Sequence, residues 1–273
     1  MCRLFGLTAG RTRVAATFWL LGAPDSLRAQ GHANPDGTGL GTFDERGRPQ
    51  VEKEPIAAYV DASFATAARK RHSATFVAHV RRSTGTPVCT ENTHPFTLDG
   101  RIFAHNGSVG DLPRLEAHLG ADLARVRGDT DSERVLALIT RQIAATGDVH
   151  DGIVSAVGWI VDNLPVRSLN FVLIEQHDLW ALRLPETNEL WMLDRRDGDE
   201  PLDHRSSLGT RVHSDHLDGT ASVVIASEPL DEGRWRLLEA GELMHVDPDL
   251  RINRTAIRRD HPAAPASPRE EVR

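Results

Sequence analysis

Hydrophobic and polar positions alternate along residues 2–9, Cys-Arg-Leu-Phe-Gly-Leu-Thr-Ala, closely enough to predict a buried strand at the start of the chain. Helical spacing over 13–22 closes at Gly22, and a second short helix is expected over 24–30. The stretch from His32 to Gly41 holds too many Gly and Pro for a regular element and leads into a strand through Phe43. That strand pairs with 49–54 as a hairpin around Glu45-Arg-Gly-Arg. A helix over Ala62–Lys70 precedes a strand from Thr75 to Arg81 and another from Gly100 to His105, with a polar loop between the two strands. Helices are expected over 111–119, 130–145 and 149–163. The second half reads as strands at 168–176, 178–184, 189–194, 221–226 and 242–247. Helices set between two strand-rich halves argue for layered α/β or α+β packing in one large domain or two small ones.

Composition narrows the function more than the fold. Hydrophobic residues make up 40% of the 273, enough for a proper core, and the net charge is −7. Basic residues are spread along the chain, so neither nucleic acid nor an anionic membrane has electrostatic support as a partner. Lys occurs only at Lys53 and Lys70, an imbalance that carries no functional reading. Two cysteines, Cys2 and Cys89, make no disulfide framework and fit a reducing compartment, with the cytoplasm as the default. No signal-length apolar run follows a charged start, and no segment reaches the roughly 18 apolar residues of a membrane span. The stretch from Arg259 on, rich in Pro, Ala and charge, is expected to be a disordered tail behind a domain of residues 2–258.

Cys2 stands out chemically. A cysteine behind the initiator methionine becomes, once Met1 is removed, a thiol and a free α-amine on one residue. An α-amine titrates at about 7.7–8.0 and a thiol near about 8.5, so the amine can take the thiol proton at neutral pH. On its own the dipeptide fits a small hydrophobe opening a strand better. Cys89, in a polar stretch, reads as an incidental thiol. Three polar clusters follow predicted strands or open a helix. At Arg81-Arg-Ser-Thr84 a cation and a hydroxyl suit a carboxylate, or form a solvated arginine pair. At Asn106-Gly107 an amide and a backbone N–H suit an oxyanion, or form a plain Asn-Gly turn. At Asp129-Thr-Asp131-Ser-Glu133 a carboxylate suits an ammonium group, or caps the helix; one aspartate can cap while the other faces a site.

In order, the runs Met1-Cys2 with its strand to Gly6, Asn34-Pro-Asp36-Gly-Thr-Gly39, His79-Val-Arg81-Arg-Ser-Thr84-Gly85, Glu91-Asn-Thr-His94-Pro-Phe96, Ala104-His-Asn106-Gly107 and Asp129-Thr-Asp131-Ser-Glu133 resemble the class II glutamine amidotransferases, a family of N-terminal-nucleophile (Ntn) hydrolases. The first and fourth runs are most similar to small stand-alone members, including the branch that cleaves a γ-glutamyl amide in ergothioneine biosynthesis. The resemblance implies an α+β, four-layer αββα sandwich in a single domain. It implies Cys2 as nucleophile with its α-amine as base, and Asn106 and Gly107 as the oxyanion hole. Arg81 and Thr84 would hold the α-carboxylate of a glutamine or γ-glutamyl amide substrate, Asp131 its α-ammonium, and His94 would support the substrate-side loop. No cofactor and no metal are implied. Arg82 departs from the family, whose sugar-phosphate-linked members commonly carry an aromatic residue there. Nothing after about residue 258 has the extent of a synthase domain, so the chain is expected either to hand ammonia to a separate synthase subunit or to hydrolyse its substrate alone. A homo-oligomer is compatible with either.

Three rivals remain open at this level. Gly37-Thr-Gly-Leu-Gly41 invites comparison with phosphate loops but matches neither G-x-G-x-x-G nor the Walker pattern. His79, His94 and His105, with His213 and His216, raise a metal-dependent hydrolase, without H-E-x-x-H or paired Cys spacing to support it. A glutamine-sensing or partner-docking protein with little turnover is the third.

Overall fold

The computed structural model describes residues 2–197, 203–205, 211–213, 217 and 219–257; the expected tail, and His216, lie outside them. The strands are β1 (Arg3–Thr8), β2 (Thr38–Phe43), β3 (Pro49–Glu54), β4 (Thr75–Val80), β5 (Phe96–Leu98), β6 (Arg101–Val109), β7 (Val166–Ile174), β8 (Leu179–Arg183), β9 (Trp191–Arg195), β10 (Asp203–Arg205), β11 (Arg211–His213), β12 (Ser222–Ala226), β13 (Trp235–Leu237), β14 (Glu242–Val246) and β15 (Ile252–Ala256). The helices are α1 (Leu27–Gln30), α2 (Ala62–Lys70), α3 (Leu112–Leu119), α4 (Asp131–Thr146) and α5 (Val149–Asn163).

One sheet runs β13-β9-β12-β1-β4-β2-β3 and a second β15-β14-β8-β7-β6-β5, while β10 and β11 pair by themselves. Every pairing is antiparallel. Alternation along each strand sorts the core into three slabs. Phe5, Leu7, Phe76 and Val80 of the first sheet pack with Trp19, Leu27 and Phe64 from the helical side. Leu4, Val77, Val223 and Ile225 on its other face meet Ile102, Ala104, Val172 and Leu179 of the second sheet. Phe103, Phe171, Leu173 and Leu182 pack under Leu115, Val135, Leu138, Ile153 and Ile160 of α3, α4 and α5. The result is the four-layer αββα sandwich.

Several local expectations change. Residues 13–16 are not helical: Val14 and Ser73 exchange backbone hydrogen bonds, and only Phe18–Gly22 coil, as a π turn closed by Ala23 N–H on Phe18 O. The strand β2 begins at Thr38, inside the glycine-rich stretch. Those glycines serve close approach, because a Cβ at Gly39 would stand 2.1 Å from His94 O and one at Gly41 2.6 Å from Ile102 Cγ2. The loop expected before residue 100 contains β5, and β6 runs four residues beyond His105, so Asn106-Gly107 is strand and not a turn. The short strands β13 and β15, and the β10–β11 pair, were not anticipated.

The sheets also approach closely at Gly6, where a Cβ would lie 2.9 Å from Val172 Cγ1 and 3.3 Å from Leu179 Cδ1. Gly6→Val is therefore expected to overpack the inter-sheet slab and cost about 1–3 kcal/mol of unfolding free energy, read by urea denaturation. Unchanged stability would show that the sheets separate freely.

Candidate active site

The residue Cys2 sits just ahead of β1, the fourth of seven strands, so both neighbours deliver their C-terminal ends to it. Register pairs Arg3 with Val80 of β4 and Phe5 with Ala226 of β12. Arg82 N–H donates to Cys2 Sγ at 3.2 Å, and Arg82 O lies 3.4 Å from the same sulfur. The thiol is half-buried, and burial pushes it up from its ordinary value against the pull of the Arg82 N–H and the Arg81 charge. Cys89 is likewise a free thiol, and its carbonyl accepts from Thr93 Oγ1.

From the facing sheet, Asn106 has the same strand parity as Ile102 and Ala104 and so turns toward β1. Its Nδ2 donates to Cys2 O at 2.9 Å and to Ser227 Oγ at 3.3 Å. Gly107 is the next residue of β6 and is exposed. A Cβ there would stand 2.0 Å from Ser168 O, so no side chain fits.

The side chain of Arg81 is buried, at 4% exposure, and its guanidinium meets only neutral oxygens: Thr86 Oγ1 at 2.6 Å, Pro87 O at 3.2 Å and Ser83 Oγ at 3.3 Å. Among the described residues no carboxylate pairs with it. Gly37 O accepts from Arg81 N–H, Arg81 O accepts from Asp36 N–H, and the Asp36 carboxylate accepts from Ser83 N–H at 2.8 Å, which fixes the start of the 81–87 loop. Thr84 and Arg82 are exposed. The helix α4 is capped by Thr130, which accepts from Glu133 N–H, and by neither aspartate. Asp131 instead accepts from Val109 N–H at 2.7 Å and Ser132 N–H at 2.9 Å, tying the helix start to the end of β6. Asp129 pairs reciprocally with Asn92, whose amide also reaches Pro87 O. Sequence reasoning missed Asn92 and Ser227. Asn92 lies inside the quoted 91–96 run but carried no role of its own there, and Ser227 lies outside every run, its partner Asn106 being 121 residues away.

The histidines separate. His79 and His94 pack 4.2 Å apart between centroids with their planes inclined by 33°, His94 meets Phe96 edge-on, and neither imidazole of the first pair has a hydrogen-bond partner. His105 points to the other side of β6, with Nδ1 2.9 Å from Ser132 Oγ. Among the described residues no three metal-binding side chains gather in one place; the side chains of His213 and His216 lie outside that description. A cleft of about 420 Å³ between the edge strands β3 and β5 is lined by Lys53, Phe96, Arg125, Arg127 and Glu133, but by none of Cys2, Arg81, Asn106 and Asp131. No described helix is long and apolar enough to cross a membrane.

The four-layer fold carries a half-buried thiol one residue ahead of its central strand. The family model for class-II glutamine amidotransferases matches residues 1–267, and the chain belongs to that family of enzymes. It is 27% identical to YafJ of Escherichia coli, provisionally named a glutamine amidotransferase, over 89% of this chain and 99% of that one. The solved structure of a glutamine aminotransferase class-II domain protein from Silicibacter pomeroyi is similar at a TM-score of 0.63 and 18% identity, covering 93% of this chain and 99% of that one. Glutamine phosphoribosylpyrophosphate amidotransferase from B. subtilis is similar at 0.66 and 17%, over 94% of this chain but 49% of its own length. At such identities the solved structures speak for the fold alone.

Burial holds His79 down to about 3 and His94 well below its ordinary range, with neighbouring positive charge adding to the effect. A depressed pKa means that the unfolded chain takes up a proton first. Stability present above about pH 6.5 is therefore lost as pH falls toward 3, by up to about 1.4 kcal/mol per pH unit for each such histidine. Urea unfolding between pH 7.5 and 5 is expected to show this slope, shallower by about one proton in His79→Phe; equal slopes would refute the assignment.

Proposed function

We propose that the protein hydrolyses the γ-amide of glutamine or of a γ-glutamyl amide through a γ-glutamyl thioester on Cys2. The observation that carries this reading is the Asn106 amide, aimed across the sheets at Cys2 itself. After removal of Met1 the α-amine takes the thiol proton, and the thiolate forms a bond to the γ-carbonyl carbon. Asn106 Nδ2 and the Gly107 N–H hold the resulting oxyanion. Collapse breaks the C–N bond, the α-ammonium returns its proton to the leaving nitrogen, and ammonia or an amine departs. Water then attacks the thioester with the α-amine as base, releasing glutamate and restoring the thiol.

The buried Arg81, without a carboxylate of its own, suits the substrate's α-carboxylate, with Thr84 on the exposed side of the same loop. Asp131, whose carboxylate accepts from two backbone N–H groups, suits the α-ammonium. His94, neutral and packed on His79, supports the 91–96 segment. In a reducing cytoplasm Cys2 stays a thiol, and the ammonia released either goes to a separate synthase subunit or is simply discarded; a homo-oligomer serves both cases.

Cys2→Ala is expected to cut glutamate release at least about 10³-fold while leaving the fold intact by circular dichroism. Intact mass of the active protein should show Met1 absent, and a Met1-retaining form should be inactive because acylation abolishes the base. Glutamate release undiminished in Cys2→Ala would overturn the reading. A screen of glutamine against substituted γ-glutamyl amides identifies the leaving group, and thermal stabilisation by glutamine without any release would mark a binding protein instead.

A further inference from the structure

Ser227, the first residue past β12, occupies an unusual position in the ladder. Its own N–H donates to Leu4 O at 3.0 Å as a strand neighbour would, yet the return bond from Leu4 N–H, at 2.9 Å, goes to the Ser227 hydroxyl. The side chain has taken over as acceptor, which places Oγ where the facing sheet can reach it. Asn106 Nδ2 does so at 3.3 Å while also donating to Cys2 O at 2.9 Å. A hydroxyl oxygen has two lone pairs, and both are now used, one by each sheet.

We infer that Ser227 is a positioning residue that acts through Asn106, keeping the NH2 end of its amide turned toward Cys2. The inference rests on the proposed thioester chemistry but makes a separate claim. An Asn side chain presents a donor at one end and an acceptor at the other, and a half-turn exchanges them. Cys2 O can only accept, so one of the two amide hydrogens is already committed. Ser227 holds the second at a longer distance. The incoming oxyanion shares the hydrogen that Ser227 holds loosely, so the tether persists as the amide donates and its orientation is kept through the reaction. Without the hydroxyl the amide loses its second tether, and Leu4 N–H loses its acceptor at the same point.

The test is a double-mutant cycle in kcat for glutamate release, with Ser227→Ala and Asn106→Ala made singly and together. Removal of an oxyanion donor costs about 10²–10³-fold, so a residue that only orients the donor should cost less. We expect Ser227→Ala to lower kcat about 10–100-fold with KM for glutamine within about 3-fold, and to change kcat less than about 2-fold when Asn106 is already Ala. Equal losses in both backgrounds, or no loss in either, would overturn the inference. The alkylation rate of Cys2 by iodoacetamide, followed by peptide mass, should be unchanged in Ser227→Ala; a parallel fall would assign the effect to the nucleophile strand and reject action through Asn106. Ser227→Thr, which keeps the hydroxyl, should stay within about 3-fold of wild type, and a folded Thr variant as slow as Ala also rejects it. Cys2→Ala run alongside separates the two levels. An active Cys2→Ala rejects both claims, whereas an inactive one beside a fully active Ser227→Ala rejects only the role of Ser227.

Discussion

Two antiparallel sheets pressed together at Gly6 and Gly41 set the geometry on which everything else depends. At these positions a single methyl group would already collide with Val172 or Ile102 across the gap. Sheets held at side-chain distance normally present only apolar interdigitation to each other. Here, at the open end of the slab, the same closeness lets an Asn amide on β6 hydrogen-bond the backbone of Cys2, the residue just ahead of β1. The apolar slab thus acts as a jig. Leu4, Val77, Ile102 and Ala104 fix the separation, and the polar groups beyond them inherit it.

Electrostatics at that end follow from burial. A guanidinium at 4% exposure with three neutral acceptors is solvated by the protein without being neutralised, and so retains its demand for an anion. Its neighbours comply: His79 and His94, packed against each other nearby, are held neutral by desolvation and add no positive charge. The acidic groups are placed differently. Asp36 grips the 81–87 loop by Ser83 N–H, Asp129 clasps Asn92, and Asp131 ties α4 to β6. Asp36 and Asp131 accept from backbone N–H groups and Asp129 from the Asn92 amide, and none of the three pairs with the Arg81 guanidinium.

Much of this was legible in one dimension. The strands expected at 2–9, 75–81 and 168–176 and the helix expected at 62–70 appear in the structure at 3–8, 75–80, 166–174 and 62–70. The ordered runs around Cys2, Arg81, Asn106 and Asp131 pointed to the family that the chain joins. Where reading failed, the cause was contact between distant segments. The glycines of 37–41 look like a loop because glycine usually marks one, but here they admit the 94–95 segment and the second sheet into van der Waals range of β2. Asn106-Gly107 looks like a turn dipeptide, but β7 pairs with it residue by residue and keeps it extended. Val14 leaves its expected helix for a backbone exchange with Ser73.

Residue type and order along the chain determine which atoms are available: a thiol next to the terminus, a fixed cation at a strand end, an amide whose strand parity matches its apolar neighbours. Periodicity determines which face each of them takes, because side-chain direction is a local property of the backbone. What tertiary structure alone decides is who meets whom. The placement of β1 between β4 and β12 brings Arg82 and Ser227 to Cys2 from 80 and 225 residues away, and the stacking of one sheet on the other aims Asn106 at it. Such pairings are chosen by the packing of whole faces, which no single segment encodes.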